Sequence, residues 1–248
     1  MEFLIIAPEH SQRATQFQAF LAGQGHSAAR IAPGQRVPAA KECWLGAAFF
    51  DGANPQENHE ALRYLGMPLT FAPATASDTA ILQALRACCD IGPITPDLRK
   101  QLAEPLVTAV EQTLSQMAGA EVTVRSAYQS SHPAGMGDLS VTLTLTQSLE
   151  GLLILSYSAG TAEALARRIL ADVAEQLDPA MIADCMGEIA NIVAGQAKAL
   201  LHGTPNHFLF STPKITLGEE GMAFKEGMTS LVLALECEQG AFALQLCR

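Results

Sequence analysis

Aromatic side chains are scarce in this sequence: one tryptophan, three tyrosines and ten phenylalanines among 248 residues. Stacking platforms for bases or sugar rings are therefore not expected. Basic residues are scarce too. Fifteen Lys and Arg stand against 25 Asp and Glu, a net charge of −10, and they form no cluster, which argues against nucleic-acid binding by phosphate attraction. No apolar run approaches the ~18 residues a membrane helix needs. The opening MEFLIIAPEH puts an acid, not a base, ahead of a short apolar run, so neither a signal peptide nor membrane attachment is expected. The expected location is the cytoplasm. Six cysteines (Cys43, Cys88, Cys89, Cys185, Cys237, Cys247) contain no C-x-x-C pair and read as buried thiols. Cys237 and Cys247, on two adjacent predicted strands, are the one pair with a chance to meet. The six histidines show no metal-ligand spacing with Cys or Asp. Neither a G-x-S-x-G elbow nor a phosphate-cradling glycine loop is present.

What the chain has is apolar bulk. Hydrophobic residues make up 49% of it, enough for a well-buried core in one large or two small domains. The first ninety residues alternate short strands and helices: FLIIA (3–7), a helix over 11–23, HSAARIA (26–32), WLGAAFF (44–50) ending at Asp51, a helix over 58–65, PLTFAPA (68–74), and a helix over 78–89. Such alternation favours a parallel sheet. This stretch loosely resembles a response-regulator receiver, in which an aspartate ends the third strand. Where a receiver has an acidic pair after its first strand, this chain has Pro8, Glu9 and His10, and no fifth strand ending in Lys-Pro follows. The resemblance therefore implies a degenerate receiver-like unit, with Asp51 a strand-end aspartate and not a phosphoacceptor.

"DIGPITPD" (90–97), with two prolines and a glycine, marks the domain boundary, giving units 1–92 and 93–248. Thr95 or Asp97 can cap the next helix, which runs to Met117. Strands with period two follow, EVTVRSAY (121–128), LSVTLTLT (139–146) and GLLILSYS (151–158). A helix to about Ala171 comes next, with Thr161 as its expected cap. Pro179 opens a long helix, and HFLFS, KITLG, LVLALE and AFALQL end the chain as strands, the last two joined by a hairpin at Gln239-Gly240. The second unit reads as α+β: long helices on one face of a largely antiparallel sheet.

The long helix, which contains "DCMGEIANIVAGQAKALLHG" (184–203), carries an apolar face of Ile182, Met186, Ile189, Val193, Ala197 and Leu200. Opposite it, Asp184, Glu188, Asn191, Gly195, Lys198 and His202 fall in one stripe. A mid-helix glycine costs about 1 kcal/mol relative to alanine, so Gly195 calls for a close approach, either by a partner or by a neighbouring helix. Lys198 and His202 suit the negative C-terminal end of the helix and stand outside the expected site.

Residues from about Ile94 to Arg248 resemble the CheX-like branch of the CheC/CheX/FliY chemotaxis phosphatases. The resemblance rests on the order of elements and on D-x-x-x-E-x-x-N, here Asp184, Glu188 and Asn191, followed by "STPKITLG", whose Pro213 falls one residue short of the usual interval. It implies a phosphatase for the aspartyl phosphate of a CheY-like response regulator. Asn191 would orient the attacking water and Glu188 would pair with the receiver's lysine, with Asp184 and Gly195 at the docking face. No cofactor is implied for this chain, because the Mg²⁺ belongs to the partner receiver. A homodimer is implied by the family alone, with the apolar final strands as a possible paired edge. The alternative is a CheX-like scaffold that binds signalling partners without catalysis.

Overall fold

The computed structural model describes residues 2–36, 44–53, 69–71, 76–87, 92–130, 137–171, 176–218 and 228–248. The predicted helix over 58–65 lies outside these, as do Cys43, Cys88 and Cys89 and the ends of the 68–74 strand.

The N-terminal unit contains β1 (Glu2–Ile6), α1 (Gln12–Gly23), β2 (Ser27–Ile31), β3 (Trp44–Phe49), β4 (Leu69–Phe71) and α2 (Asp78–Ala87). Its strands are all parallel, in the order β2-β1-β3-β4, the flavodoxin-like order with no fifth strand among the described residues. Phe3 and Ile5 face one side of the sheet and Leu4 and Ile6 the other, all fully buried. A strand covered on both faces reads as the continuous apolar run FLII. Ser11 caps α1 by accepting from the Ala14 N–H at 3.0 Å. At the carboxyl end of the sheet, Arg13 pairs with Asp78, donates to the Ala76 carbonyl at 2.8 Å and lies 5.6 Å from the Phe50 ring. Asp51, which follows β3, is exposed, with φ of 52°.

The C-terminal unit holds β5 (Gly92–Pro93), α3 (Pro96–Leu98), a π-helical turn (Arg99–Ala103), α4 (Glu104–Ala118), β6 (Thr123–Ser130), β7 (Leu139–Gln147), β8 (Gly151–Tyr157), α5 (Ala159–Ile169), α6 (Pro179–Leu200), β9 (Phe208–Phe210), β10 (Lys214–Leu217), β11 (Ser230–Cys237) and β12 (Gly240–Cys247). These strands form an eight-stranded sheet in the order β10-β7-β8-β12-β11-β6-β5, with β9 also on β7. Every pairing in it is antiparallel. The three long helices cover one face, where Leu143, Leu153, Leu155, Leu233 and Leu244 meet Leu106, Val110, Leu165, Met186, Ile189 and Val193. Thr95 is the cap before Pro96, accepting from the Leu98 N–H at 3.2 Å. The helix reaches α4 through the π turn because Pro105 cannot donate to the usual carbonyl one turn back, and a widened turn relieves the clash of its ring.

Several expectations change. The cap of α5 is Ser158, which accepts from the Thr161 N–H at 2.9 Å, while the Thr161 hydroxyl turns to the Ala241 carbonyl. The β11–β12 turn residues are Glu238 and Gln239, since Cys237 pairs with Gly240. Gly240 is required there: at φ of 137°, its Cβ would lie 2.4 Å from Thr161 Oγ1. Cys237 and Cys247 cannot form a disulfide, because their register partners, Gly240 and Ser230, put them at opposite ends of the hairpin. The final strands offer no open edge either, since β12 lies between β8 and β11 and β11 between β12 and β6.

Much of the second face of the large sheet is buried as well. Val232 and Tyr128 join the core of Phe3, Ile5 and Phe17, and Ala234 joins that of Leu4, Ile6 and Phe49. The N-terminal unit therefore packs against the side of the sheet opposite the helices. Ser140 and Ser156, fully buried on that side, satisfy each other at 3.0 Å.

Candidate functional site

The 22 residues of α6 start at an Asp178 cap, which accepts from the Met181 N–H at 2.8 Å, with Pro179 in the first turn. Cys185, Met186, Ile189, Ala190, Val193, Ala194 and Ala197 anchor the helix in the core. The opposite stripe emerges as expected. Asp184 and Glu188 are exposed, and Asn191 and Gly195 are half-buried. Leu200, expected on the apolar face, is instead 43% exposed in the last turn.

Among the described residues, none hydrogen-bonds or ion-pairs with the side chains of Asp184, Glu188 or Asn191. Three polar groups on a helix anchored by buried side chains are thus without a polar partner among the described residues. A Cβ built on Gly195 meets nothing within 4 Å, so no neighbouring helix explains that glycine. The mid-helix glycine that does pack closely is Gly187, whose Cβ would sit 3.4 Å from Ile215 on β10.

The ribbon formed by β9 and β10 borders this stripe. Gly187 lies at Ile215, and the Lys198 ammonium lies 6.0 Å from the Phe210 ring centroid. The two contacts are eleven residues apart on the helix and five on the ribbon, each a span of about 16 Å. Helix and ribbon therefore run antiparallel, with Ser211–Pro213 level with the Asn191–Gly195 turn. The ribbon bulges there: between the pairs Leu145↔Phe210 and Thr142↔Lys214 it carries one residue more than β7. Ser211 bridges the gap, donating its N–H to the Thr144 carbonyl and accepting from the Thr144 N–H on its hydroxyl, both at 3.0 Å. Pro213, which has no N–H to offer a ladder, occupies the break. Pro213 thereby shapes the entry into β10.

The second long helix of the unit, α4, carries Glu104 and Glu111, but Val107 and Leu114 stand three residues on. The amide-bearing motif thus occurs on α6 and not on α4. Sequence reasoning missed the ring contact of Lys198 and the packing of Gly187 on Ile215. Both depend on which strand flanks the helix, which periodicity does not specify.

Residues 139–236 match the protein-family model described as chemotaxis phosphatase CheX. Among solved structures, a protein of Desulfovibrio vulgaris Hildenborough that carries a chemotaxis description is 25% identical. It covers 58% of this chain and 94% of its own, with a TM-score of 0.54. The chemotaxis protein CheX of Desulfovibrio desulfuricans is likewise 25% identical, covering 58% of this chain and 97% of its own at a TM-score of 0.53. A CheC-like superfamily protein of Shewanella sp. PV-4, 20% identical, covers 62% and 98% at a TM-score of 0.52 and shares the fold. No curated protein matches the sequence.

Proposed function

We propose that this chain, whose C-terminal unit is CheX-like, is a phosphatase acting on the aspartyl phosphate of a CheY-like response regulator. The observation that carries the reading is the uncommitted row on α6: Glu188 and Asn191, one turn apart, face outward with no internal partner among the described residues. A carboxylate and an amide at that spacing enter one shallow pocket together. The family described as chemotaxis phosphatase matches the segment that carries them.

A phosphorylated receiver supplies its own Mg²⁺ and lysine, so charge at the phosphoryl group is largely met before docking. What this chain adds is an oriented water. The Asn191 amide oxygen accepts from that water and directs its lone pair at phosphorus, without the repulsion a carboxylate would bring. The water oxygen bonds to phosphorus, the bond from phosphorus to the aspartyl oxygen breaks, and inorganic phosphate leaves with the aspartate restored. Glu188 pairs with the receiver's lysine and fixes the docking. Asp184 and Gly195 belong to the docking face.

The N-terminal unit, a degenerate receiver in this reading, takes no phosphate itself: Pro8, Glu9 and His10 stand where a receiver has its acidic pair. A homodimer, implied by the family resemblance, must use a surface other than β11 and β12. The test is loss of label from receivers phosphorylated with ³²P-acetyl phosphate, with and without the full chain. Accelerated loss is expected for at least one regulator. Stable binding with unchanged label would favour the scaffold reading instead.

A further inference from the structure

Lys198 closes the polar row of α6, in surroundings that a helix-end charge does not require. Its ammonium lies over the Phe210 ring, and among the described residues it has no carboxylate partner. An aromatic face holds a cation in place without neutralising it. Lys198 is also the one basic residue of α6. Seven residues from Asn191, it stands about 10 Å further along the same face. Between them Gly195 opens a notch, with nothing within 4 Å of where its Cβ would be.

We propose that Lys198, held over Phe210, is a docking and specificity-determining residue that receives an acidic side chain from the rim of the phosphorylated receiver. This rests on the phosphatase reading above and adds the polarity of its docking face. The chain carries a net charge of −10, and Asp184 and Glu188 head the row. The Mg²⁺ and lysine of a phosphorylated receiver meet the charge at the phosphoryl group itself and leave an acid on the loops around it facing the acidic row of α6. Two acidic surfaces repel unless one offers a placed cation. If Asn191 is at the phosphorus, Lys198 is too far along the helix to reach the phosphoryl oxygens. Its contact is then a carboxylate on a neighbouring loop of the receiver, about 10 Å from the reacting centre. Regulators that carry an acid there are preferred substrates.

The test is single-turnover hydrolysis of a ³²P-labelled receiver at varied concentrations of the full chain, for the parent and the variants Lys198→Gln, Lys198→Glu and Phe210→Leu. The half-saturating concentration should rise about 5-fold for Lys198→Gln and about 20-fold or more for Lys198→Glu, with the maximal rate within about twofold of the parent. Raising salt should shrink these differences, because the contact is an exposed charge pair. Phe210→Leu keeps apolar bulk but loses the ring quadrupole, so a rise of about 2–3-fold is expected. Parental half-saturation in Lys198→Glu, with Asn191→Ala inactive, would overturn the docking role and leave the phosphatase reading standing. A lower maximal rate at unchanged half-saturation would overturn it too, since Lys198 would then act on the chemistry. If the parent hydrolyses nothing, the phosphatase reading fails. Titration with a beryllofluoride-loaded receiver then decides the docking role, and equal affinity for parent and Lys198→Glu overturns it.

Discussion

Gly195 offers a perturbation in which stability and function should move in opposite directions. The residue lies inside α6 in ordinary helical conformation, and a Cβ placed on it meets no atom within 4 Å. Gly195→Ala therefore loses no internal contact and gains about 1 kcal/mol of helix propensity. In a domain of this size that gain corresponds to about 2–4 °C in Tm. Gly195→Leu should gain nearly as much, since leucine is also a strong helix former. For a docked partner the result reverses. Alanine narrows the notch between Asn191 and Lys198, and leucine fills it. Half-saturation by a phosphorylated receiver should rise a few-fold for Ala and about 10-fold or more for Leu, as expected when a close-packed contact is overfilled by 1–3 kcal/mol. Thermal unfolding and receiver titration on the same preparations read both effects. A Leu variant that is stabilised yet docks like the parent would refute the idea that a partner enters here. An Ala variant that is destabilised would show that the glycine serves the fold.

Glu188→Ala should weaken receiver binding and slow turnover while leaving unfolding nearly unchanged, because the side chain is exposed and has no partner among the described residues. A loss seen only at saturating receiver would place the carboxylate in the chemistry, not in docking. Tyr157→Phe should stabilise the chain by about 1 kcal/mol in urea unfolding: the hydroxyl is buried against the core with no hydrogen-bond partner among the described residues, and the Phe242 stacking survives its removal. Burial pushes the thiols of Cys185, Cys237 and Cys247 up, as it does the Tyr157 phenol. Groups whose folded values are raised stabilise fully below their unfolded values and lose that contribution as pH climbs. Stability should therefore hold to about pH 8.5 and then fall by about 1.4 kcal/mol per pH unit for each such thiol. Flat stability from pH 8 to 10 would contradict this, as would thiol-specific labelling of these three cysteines in the native protein.

Much of the fold was legible because local and global signals agree. The run FLII announces a strand covered on both faces, the alternation in LSVTLTLT a strand with two distinct sides, and Pro179 the start of α6. The stripe of Asp184, Glu188 and Asn191 could be read at 3.6 residues per turn without any knowledge of the packing. What escaped needs long-range information. Ser140, Ser156 and Gln245 look like residues of a solvated face, yet all are fully buried, and nothing in their spacing shows that the far side of the sheet is covered. Tyr128 and Val232 were the available hint, as large apolar residues on that outward side. Lys198 reads as a helix-end cation until β9 is seen to bring Phe210 beneath it. The caps at Ser158 and Thr161 were hard to separate because both hydroxyls occur within one turn, and only the backbone geometry picks the acceptor.

In the proposed reaction, the Asn191 amide directs a water at the phosphoryl group of a docked receiver. The most direct measurement is the single-turnover rate of receiver dephosphorylation at saturating concentrations of the Asn191→Ala chain, with affinity for a beryllofluoride-loaded receiver and thermal unfolding measured alongside. The side chain is half-exposed and has no internal partner among the described residues, so stability should stay level or rise by a few tenths of a kcal/mol. Affinity should stay within about twofold, while the rate falls about 10²-fold or more, as for other removals of one positioning group. An Asn191→Ala chain that binds the receiver and still hydrolyses its phosphate at the parental rate would contradict the claim.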